Sequence, residues 1–283
     1  AMVEVSVVSA FSKGKRGGNQ AGVVLDSRNL TSAEMAAIAN TLGYSETAFL
    51  INSNVADFKI RYFTPAEEVP LCGHATIATF SLLHSSGKLD KDAYTIETNA
   101  GTLNIRIEKD GMIFMEQNCP AYFEMLKPDI FAECFEDILI DTALPIQIVS
   151  TGLKDIMLPV NSEDHLEKLR PQFINMAKLC RKLDVIGIHA FAMKKSADTT
   201  AICRNFAPLY GIDEESATGT SNCALACYLF KHFKQQSRYV FEQGWNLGSA
   251  SRIVVNITQH DSVIDAVYVG GYGYLESKKI LSV

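Results

Sequence analysis

The sequence predicts an α+β or barrel-around-helix arrangement in two structurally related halves, and three observations predict it. Segments with strand periodicity outnumber helical ones, and the helices separate groups of strands without the alternation of a doubly wound sheet. The pattern Arg-x-Phe-x-Pro occurs twice, as Arg61-Tyr62-Phe63-Thr64-Pro65 and Arg204-Asn205-Phe206-Ala207-Pro208, about half the chain apart. A length of 283 residues fits two domains, and 47% hydrophobic against 20% charged residues lets both bury a core.

In chain order, Val3, Val5 and Val7 alternate with polar residues and open a strand, followed by a loop through Gly18 and Asn19. Thr31 with Glu34 forms a capping box for a helix that runs to Gly43 as its C′ residue. ETAFLI and ADFKIRYF read as strands, and a second helix begins at Gly73 or His74 and stops near Gly87. IRIEK and MIFME flank Asp110-Gly111, a strong hairpin signal. The second domain begins near Cys119-Pro120, so that residues 2–118 form the first and 119–283 the second, with the last strand allowed to return to the first.

A looser segment runs to about residue 144, then IQIVST and IMLPV are strands. Residues 171–183 form a helix with Pro171 in its first turn. VIGIHAFAM and TTAICRNF are strands, 219–234 is a helix, and the tail alternates strands with turns. The cluster Gly270-Gly271-Tyr272-Gly273 lacks a following helix and a phosphate-loop lysine and reads as a turn, not a nucleotide loop.

Both halves continue alike after Arg-x-Phe-x-Pro. An acidic stretch leads to a small-residue turn, Cys72-Gly73-His74-Ala75 or Thr218-Gly219-Thr220-Ser221, which opens a helix. A glycine-opened N-terminus presents unpaired backbone N–H groups and a positive dipole end, worth about 0.3–1 kcal/mol toward an anion. Two such ends facing one another across a cleft would clamp a small carboxylate.

Composition excludes several classes of function. The net charge of −6 and the lack of basic runs argue against a nucleic-acid or anionic-membrane partner. No apolar stretch reaches the roughly 18 residues of a membrane span, and the start does not read as a signal peptide. Seven scattered cysteines without a CxxC pair suit reduced core thiols, so a cytoplasmic protein is expected. Histidines and cysteines show no metal-site spacing, so no metal is expected.

The segments GNQAGVV (18–24), SETAF (45–49), RYFTPAEEVPLCGHATIA (61–78), VSTGLKDIMLPV (149–160), RNFAPLYGIDEESATGTSN (204–222) and VYVGGYG (267–273) together resemble the PhzF family of phenazine-biosynthesis isomerases, across almost the whole chain. The resemblance implies the diaminopimelate-epimerase-like fold: two similar domains, each a sheet around a central helix, with the active site in the cleft between them. It also implies a homodimer and a proton-shifting isomerase that uses neither cofactor nor metal, acting on a small carboxylated metabolite.

By resemblance the general acid/base is Glu46 of the SET motif. A positioned base supplies roughly 10²–10⁴-fold, enough for a C–H already acidified by conjugation. His74 contacts substrate or relays a proton, and a helix start favours its neutral imidazole. Gly73, Gly219 and Thr220, with Thr218 beside them, present the carboxylate site, and Asn19 helps to line it.

The family's second motif usually reads EDPxTGSA, so Glu215 stands where the catalytic aspartate is expected, Ser216 replaces the proline and Thr220 the serine. The usual GRPS is Gly248-Ser249-Ala250-Ser251 here. These departures argue for a substrate other than the namesake's. Two alternatives stay open. One is a two-thiol racemase or epimerase on the same fold, with Cys72 as first thiol, although Thr218 occupies the second thiol's place. The other is a small-molecule-binding protein that has lost catalysis.

Overall fold

Two helices without a solvent face organise the molecule. In α2 (Gly73–Ser85) every residue from Ala75 to Leu83 is buried, and in α5 (Gly219–His232) every residue from Ser221 to Phe230. A helix apolar all round can only sit inside other structure, and here that structure is sheet. The computed structural model describes residues 1–194 and 196–283. It divides into two compact units, one of Ala1–Glu116 with Gly270–Val283 and the other of Gln117–Val269.

The first unit contains β1 (Met2–Ser12), β2 (Asn19–Val24), α1 (Ser32–Leu42), β3 (Thr47–Ile51), β4 (Phe58–Phe63), β5 (Glu68–Val69), α2, β6 (Ala93–Thr98), β7 (Gly101–Ile107) and β8 (Ile113–Gln117), which runs one residue beyond the boundary. β1–β2 is antiparallel, β2–β3 parallel, β3–β4 antiparallel, β4–β6 parallel, and β6–β7–β8 antiparallel, with β5 folded back on β4. α2 packs on β1, β2 and β3. On the opposite face α1 sets Met35, Ile38 and Ala39 against Val3, Val5, Val24, Phe49 and Phe63. The capping box forms, with Glu34 N donating to Thr31 Oγ1 at 3.1 Å and Thr31 N to Glu34 Oε1 at 2.9 Å. Gly43 closes the helix at φ +75°.

The second unit repeats this order. It contains β9 (Ala121–Leu126), β10 (Ile146–Ser150), β11 (Lys154–Pro159), α3 (Glu163–Glu167), α4 (Phe173–Leu183), β12 (Gly187–Met193), β13 (Ala201–Ala207), β14 (Ile212–Glu215), α5, β15 (Arg238–Gln243) and β16 (Ser251–His260). β10–β11 is antiparallel, β11–β12 parallel, β12–β13 antiparallel, β13–β15 parallel and β15–β16 antiparallel, with β14 folded back on β13. The match extends to registers: Tyr62 lies opposite Ala48 as Asn205 lies opposite His189. The expected α+β fold of two related sheet-around-helix halves is what the chain adopts.

The repeated arginine explains why Arg-x-Phe-x-Pro recurs. Arg61 grips Glu68 through two hydrogen bonds of 2.8 and 2.7 Å, tying β4 to β5. Arg204 grips Glu214 in the same fork at 3.0 and 2.8 Å and also donates to the carbonyls of Leu166 and Leu169. The acidic stretches after each motif, turn-like in the sequence, therefore contain short strands that end beside the central helix.

Other expectations need correction. Asn19 is the first residue of β2, not part of a loop. The looser segment before residue 144 contains β9, whose mostly exposed residues leave no apolar alternation to read. Pro171 lies outside α4, bridged to Phe135, and Gln172 is the N-cap. Gly270–Gly273 is no turn: β17 (Val263–Ser282) runs unbroken through it. Those glycines permit close approach. A Cβ at Gly270 would lie 2.4 Å from Phe114 Cδ1, and one at Gly273 2.7 Å from Ser81 Oγ of α2.

Two stability differences follow. Gly273→Ala should cost about 1–3 kcal/mol by overpacking, read as a lower urea midpoint with unchanged slope. Arg204→Met removes one partner of a pair only 7% and 8% exposed, and should cost about 3–5 kcal/mol. Arg61→Met, whose pair is 20% and 28% exposed, should cost nearer 1 kcal/mol. Equal losses at the two arginines would contradict this ranking.

Candidate functional site

The first unit places Ser45 and Glu46 just ahead of β3. Gly22 fixes that approach: its N–H donates to Glu46 O at 3.2 Å, and a Cβ there would lie 2.9 Å from Leu42 Cδ1 and from Thr47 Oγ1. α2 starts at Gly73 behind the extended N-cap Cys72 (φ −144°, ψ 119°), so His74 is the second residue of a helix whose body is buried.

These elements bring four side chains together. Glu46 Oε2 lies 3.5 Å from His74 Nε2, Ser45 Oγ lies 3.4 Å from the same nitrogen, and Cys72 Sγ lies 3.2 Å from Nδ1. The His74 side chain is only 10% exposed and that of Glu46 22%. Burial lowers the imidazole pKa below its ordinary value, outweighing the Glu46 carboxylate and a hydrogen bond with the Gln20 backbone, which both raise it. That direction favours the neutral ring, with desolvation rather than the helix start as its main cause. A neutral imidazole offers one N–H and one lone pair, so the ring can pass a proton between its two sides.

Glu46, Cys72 and His74 present metal-ligating atoms within 4.8 Å of one another. However, Nδ1 faces the thiol and Nε2 the carboxylate, and one ion binds only one ring nitrogen. The arrangement suits a hydrogen-bonded relay better than a three-ligand metal centre. Gly73 adjoins His74, and a Cβ there would lie 3.3 Å from Met115 Cε. Asn19 lies opposite Ala10, next to Gln20, whose backbone reaches His74.

The second unit gathers Glu215, Thr218, Gly219 and Thr220. Glu215 ends β14 opposite Asn205. Thr218 is the N-cap of α5 (φ −136°, ψ 114°), in nearly the backbone conformation of Cys72, and its Oγ1 donates to Glu215 Oε2 at 3.1 Å. Gly219 and Thr220 are the first helical residues, and Thr220 Oγ1 donates to Gln117 Oε1 at 3.4 Å. Neither N-cap supplies a side-chain cap to its helix.

Sequence reasoning did not single out Ser45, Gln20 or Gln243, whose Nε2 donates to Thr218 Oγ1 at 2.9 Å. Ser45 stands in the SET motif beside Glu46 and was available as a signal. Gln243 gave none, because only folding brings β15 under the start of α5.

The chain matches the PhzC–PhzF family, described as phenazine biosynthesis-like protein, over residues 8–278. It is 33% identical to the uncharacterized isomerase YddE of Escherichia coli (strain K12), covering 95% of this chain and 94% of that one. It is 29% identical to the trans-2,3-dihydro-3-hydroxyanthranilate isomerase of Pseudomonas aeruginosa, over 94% and 95% of the two chains. Among solved structures, the PhzF-family phenazine biosynthesis protein of Bacillus anthracis superposes with a TM-score of 0.90 at 27% identity, covering 100% of both chains. A full-length sequence match, a full-length structural match and two duplicated halves agree: the chain belongs to the PhzF family and is a PhzF-like isomerase.

Proposed function

We propose that the protein is a cofactor-independent isomerase that moves a proton between carbons of a small carboxylated metabolite, with Glu46 as the acid/base. The observation that carries this reading is the Glu46–His74–Cys72 cluster, in which a carboxylate meets a histidine held neutral by burial. Glu46 accepts a proton from a carbon acidified by a neighbouring carboxylate or enamine, the electron pair shifts along the conjugated system, and the same carboxyl returns the proton to a second carbon. His74 keeps the ring proton available beside it. Such a base contributes about 10²–10⁴-fold, or roughly 3–5 kcal/mol.

Glu215, at the position of the family's catalytic aspartate, is assigned a supporting catalytic role, a carboxyl that hydrogen-bonds the substrate while Glu46 moves the proton, and the backbone amides of Gly73, Gly219 and Thr220 carboxylate recognition, since helix N-termini favour anions. Asn19 and Thr218 complete the proposed binding set. The Pseudomonas aeruginosa relative is named for a cyclic amino carboxylate. Glu215, Ser216 and Thr220 depart from that enzyme's family motif, so the substrate proposed here shares its chemistry, a carboxylate beside an acidified C–H, rather than its identity.

Incubation in D₂O with a panel of small cyclic and amino carboxylates, followed by NMR, should show C–H to C–D exchange in at least one compound. Glu46→Gln should lower that rate by a factor of about 10² or more, whereas exchange at the wild-type rate would remove Glu46 from the mechanism. Cys72→Ser should retain most activity, and abolished exchange there would favour the two-thiol scheme. Because His74 must be neutral and its pKa is lowered, the acid limb of the rate profile should fall below about pH 6.5, the ordinary histidine value.

A further inference from the structure

Beneath the start of α5 lies a polar network that the duplicated fold does not need. His189 (0% exposed) has Nε2 2.9 Å from Asn222 Oδ1, and its Nδ1 accepts from Asn205 Nδ2 at 3.0 Å. Asn222 Nδ2 donates to Thr218 O at 2.8 Å and to Gln243 Oε1 at 2.9 Å. Gln243 Nε2 in turn donates to Glu215 O at 3.0 Å and to Thr218 Oγ1 at 2.9 Å. With that lone pair occupied, the Thr218 hydroxyl proton points to Glu215 Oε2.

The direction of every bond is fixed by counting donors. Both Asn222 amide protons are committed, so its oxygen faces His189 and the ring proton must sit on Nε2. A neutral ring is what burial enforces, since desolvation pushes the His189 pKa down to about 4. On the other branch Asn205 Nδ2 donates to Ser221 Oγ at 3.1 Å, and Ser221 donates to Asp155 Oδ2 at 2.6 Å.

The first unit serves as an internal control. By strand register and helix start, His189 corresponds to Ala48, Asn205 to Tyr62, Asp155 to Ala21, Ser221 to Ala75 and Asn222 to Thr76. There the same space is filled by the Tyr62 ring, whose hydroxyl meets Thr76 Oγ1 at 2.6 Å. The same fold is thus built with small and apolar side chains. Burying a linked set of polar groups is costly unless each is satisfied, and here the chain of donors ends on a carboxylate at a helix start.

We propose that Gln243, held by Asn222 and His189, is a positioning residue for Glu215: it aims the Thr218 hydroxyl at Glu215 Oε2 and so orients that carboxylate for its contact with the substrate. This inference rests on the supporting catalytic role proposed for Glu215. Gln243 acts through Thr218 and touches no substrate.

The test compares wild type with Gln243→Met, which removes the amide at similar size, and with the near-isosteric Thr218→Val; Thr218→Ser is the rescue. Two readouts are taken on folded protein: the Glu215 carboxyl titration by ¹³C NMR, assigned with Glu215→Gln, and kcat and KM in the exchange assay. Loss of the hydroxyl donor should move the Glu215 titration upward. Both variants should also lower kcat by about 10–100-fold, the usual scale for supporting residues, with KM within about threefold in Gln243→Met, and Thr218→Ser should keep both the titration and kcat near wild type. An unmoved titration in Gln243→Met and Thr218→Val, or a loss confined to KM in Gln243→Met, would overturn the proposal. Should wild type exchange no C–H in any compound, the isomerase reading fails while the titration still decides whether Gln243 positions Glu215.

Discussion

Complete burial of α2 and α5 is the constraint on which the rest of the structure depends. A buried helix satisfies its interior backbone groups itself, and only its ends offer N–H groups to anything else. In both units the chain reaches that end through an extended N-cap, Cys72 or Thr218, that gives the helix no side-chain cap. Each start is held by a forked arginine–glutamate pair at the neighbouring strand turn, Arg61–Glu68 or Arg204–Glu214. Side chains at each start are therefore set on a buried element rather than on a loop.

The duplication also shows what the fold leaves undetermined. One copy fills the space beneath its central helix with a tyrosine and small side chains, and its polar groups, Glu46, Ser45, Cys72 and His74, cluster around the helix start. The other fills the space with His189, Asn205, Asn222 and Gln243. The same strand and helix order is thus built with two different interiors.

Much of this was legible in the sequence because it was local. The Thr31–Glu34 capping box, Gly43 and the glycine-led starts of α2 and α5 need only neighbouring residues to define them. Arg-x-Phe-x-Pro was legible as a repeat, but the partners of its arginine were not, since Glu68 and Glu214 stand at different distances along the chain. Gly270 and Gly273 were misread as a turn because a glycine needed for close packing looks the same in sequence as one needed for a bend. Glu46 and His74 came from family resemblance, while Gln243 and His189 are defined only by contacts made across the sheet.

The central claim is that one glutamate carries the proton from carbon to carbon. It is tested most directly by a single turnover in D₂O with the first compound found to exchange, scoring deuterium in the product. A single carboxyl that returns what it removes predicts product that keeps a measurable share of the substrate's own proton. Transfer of the original proton by Glu46→Gln at the wild-type rate would contradict it.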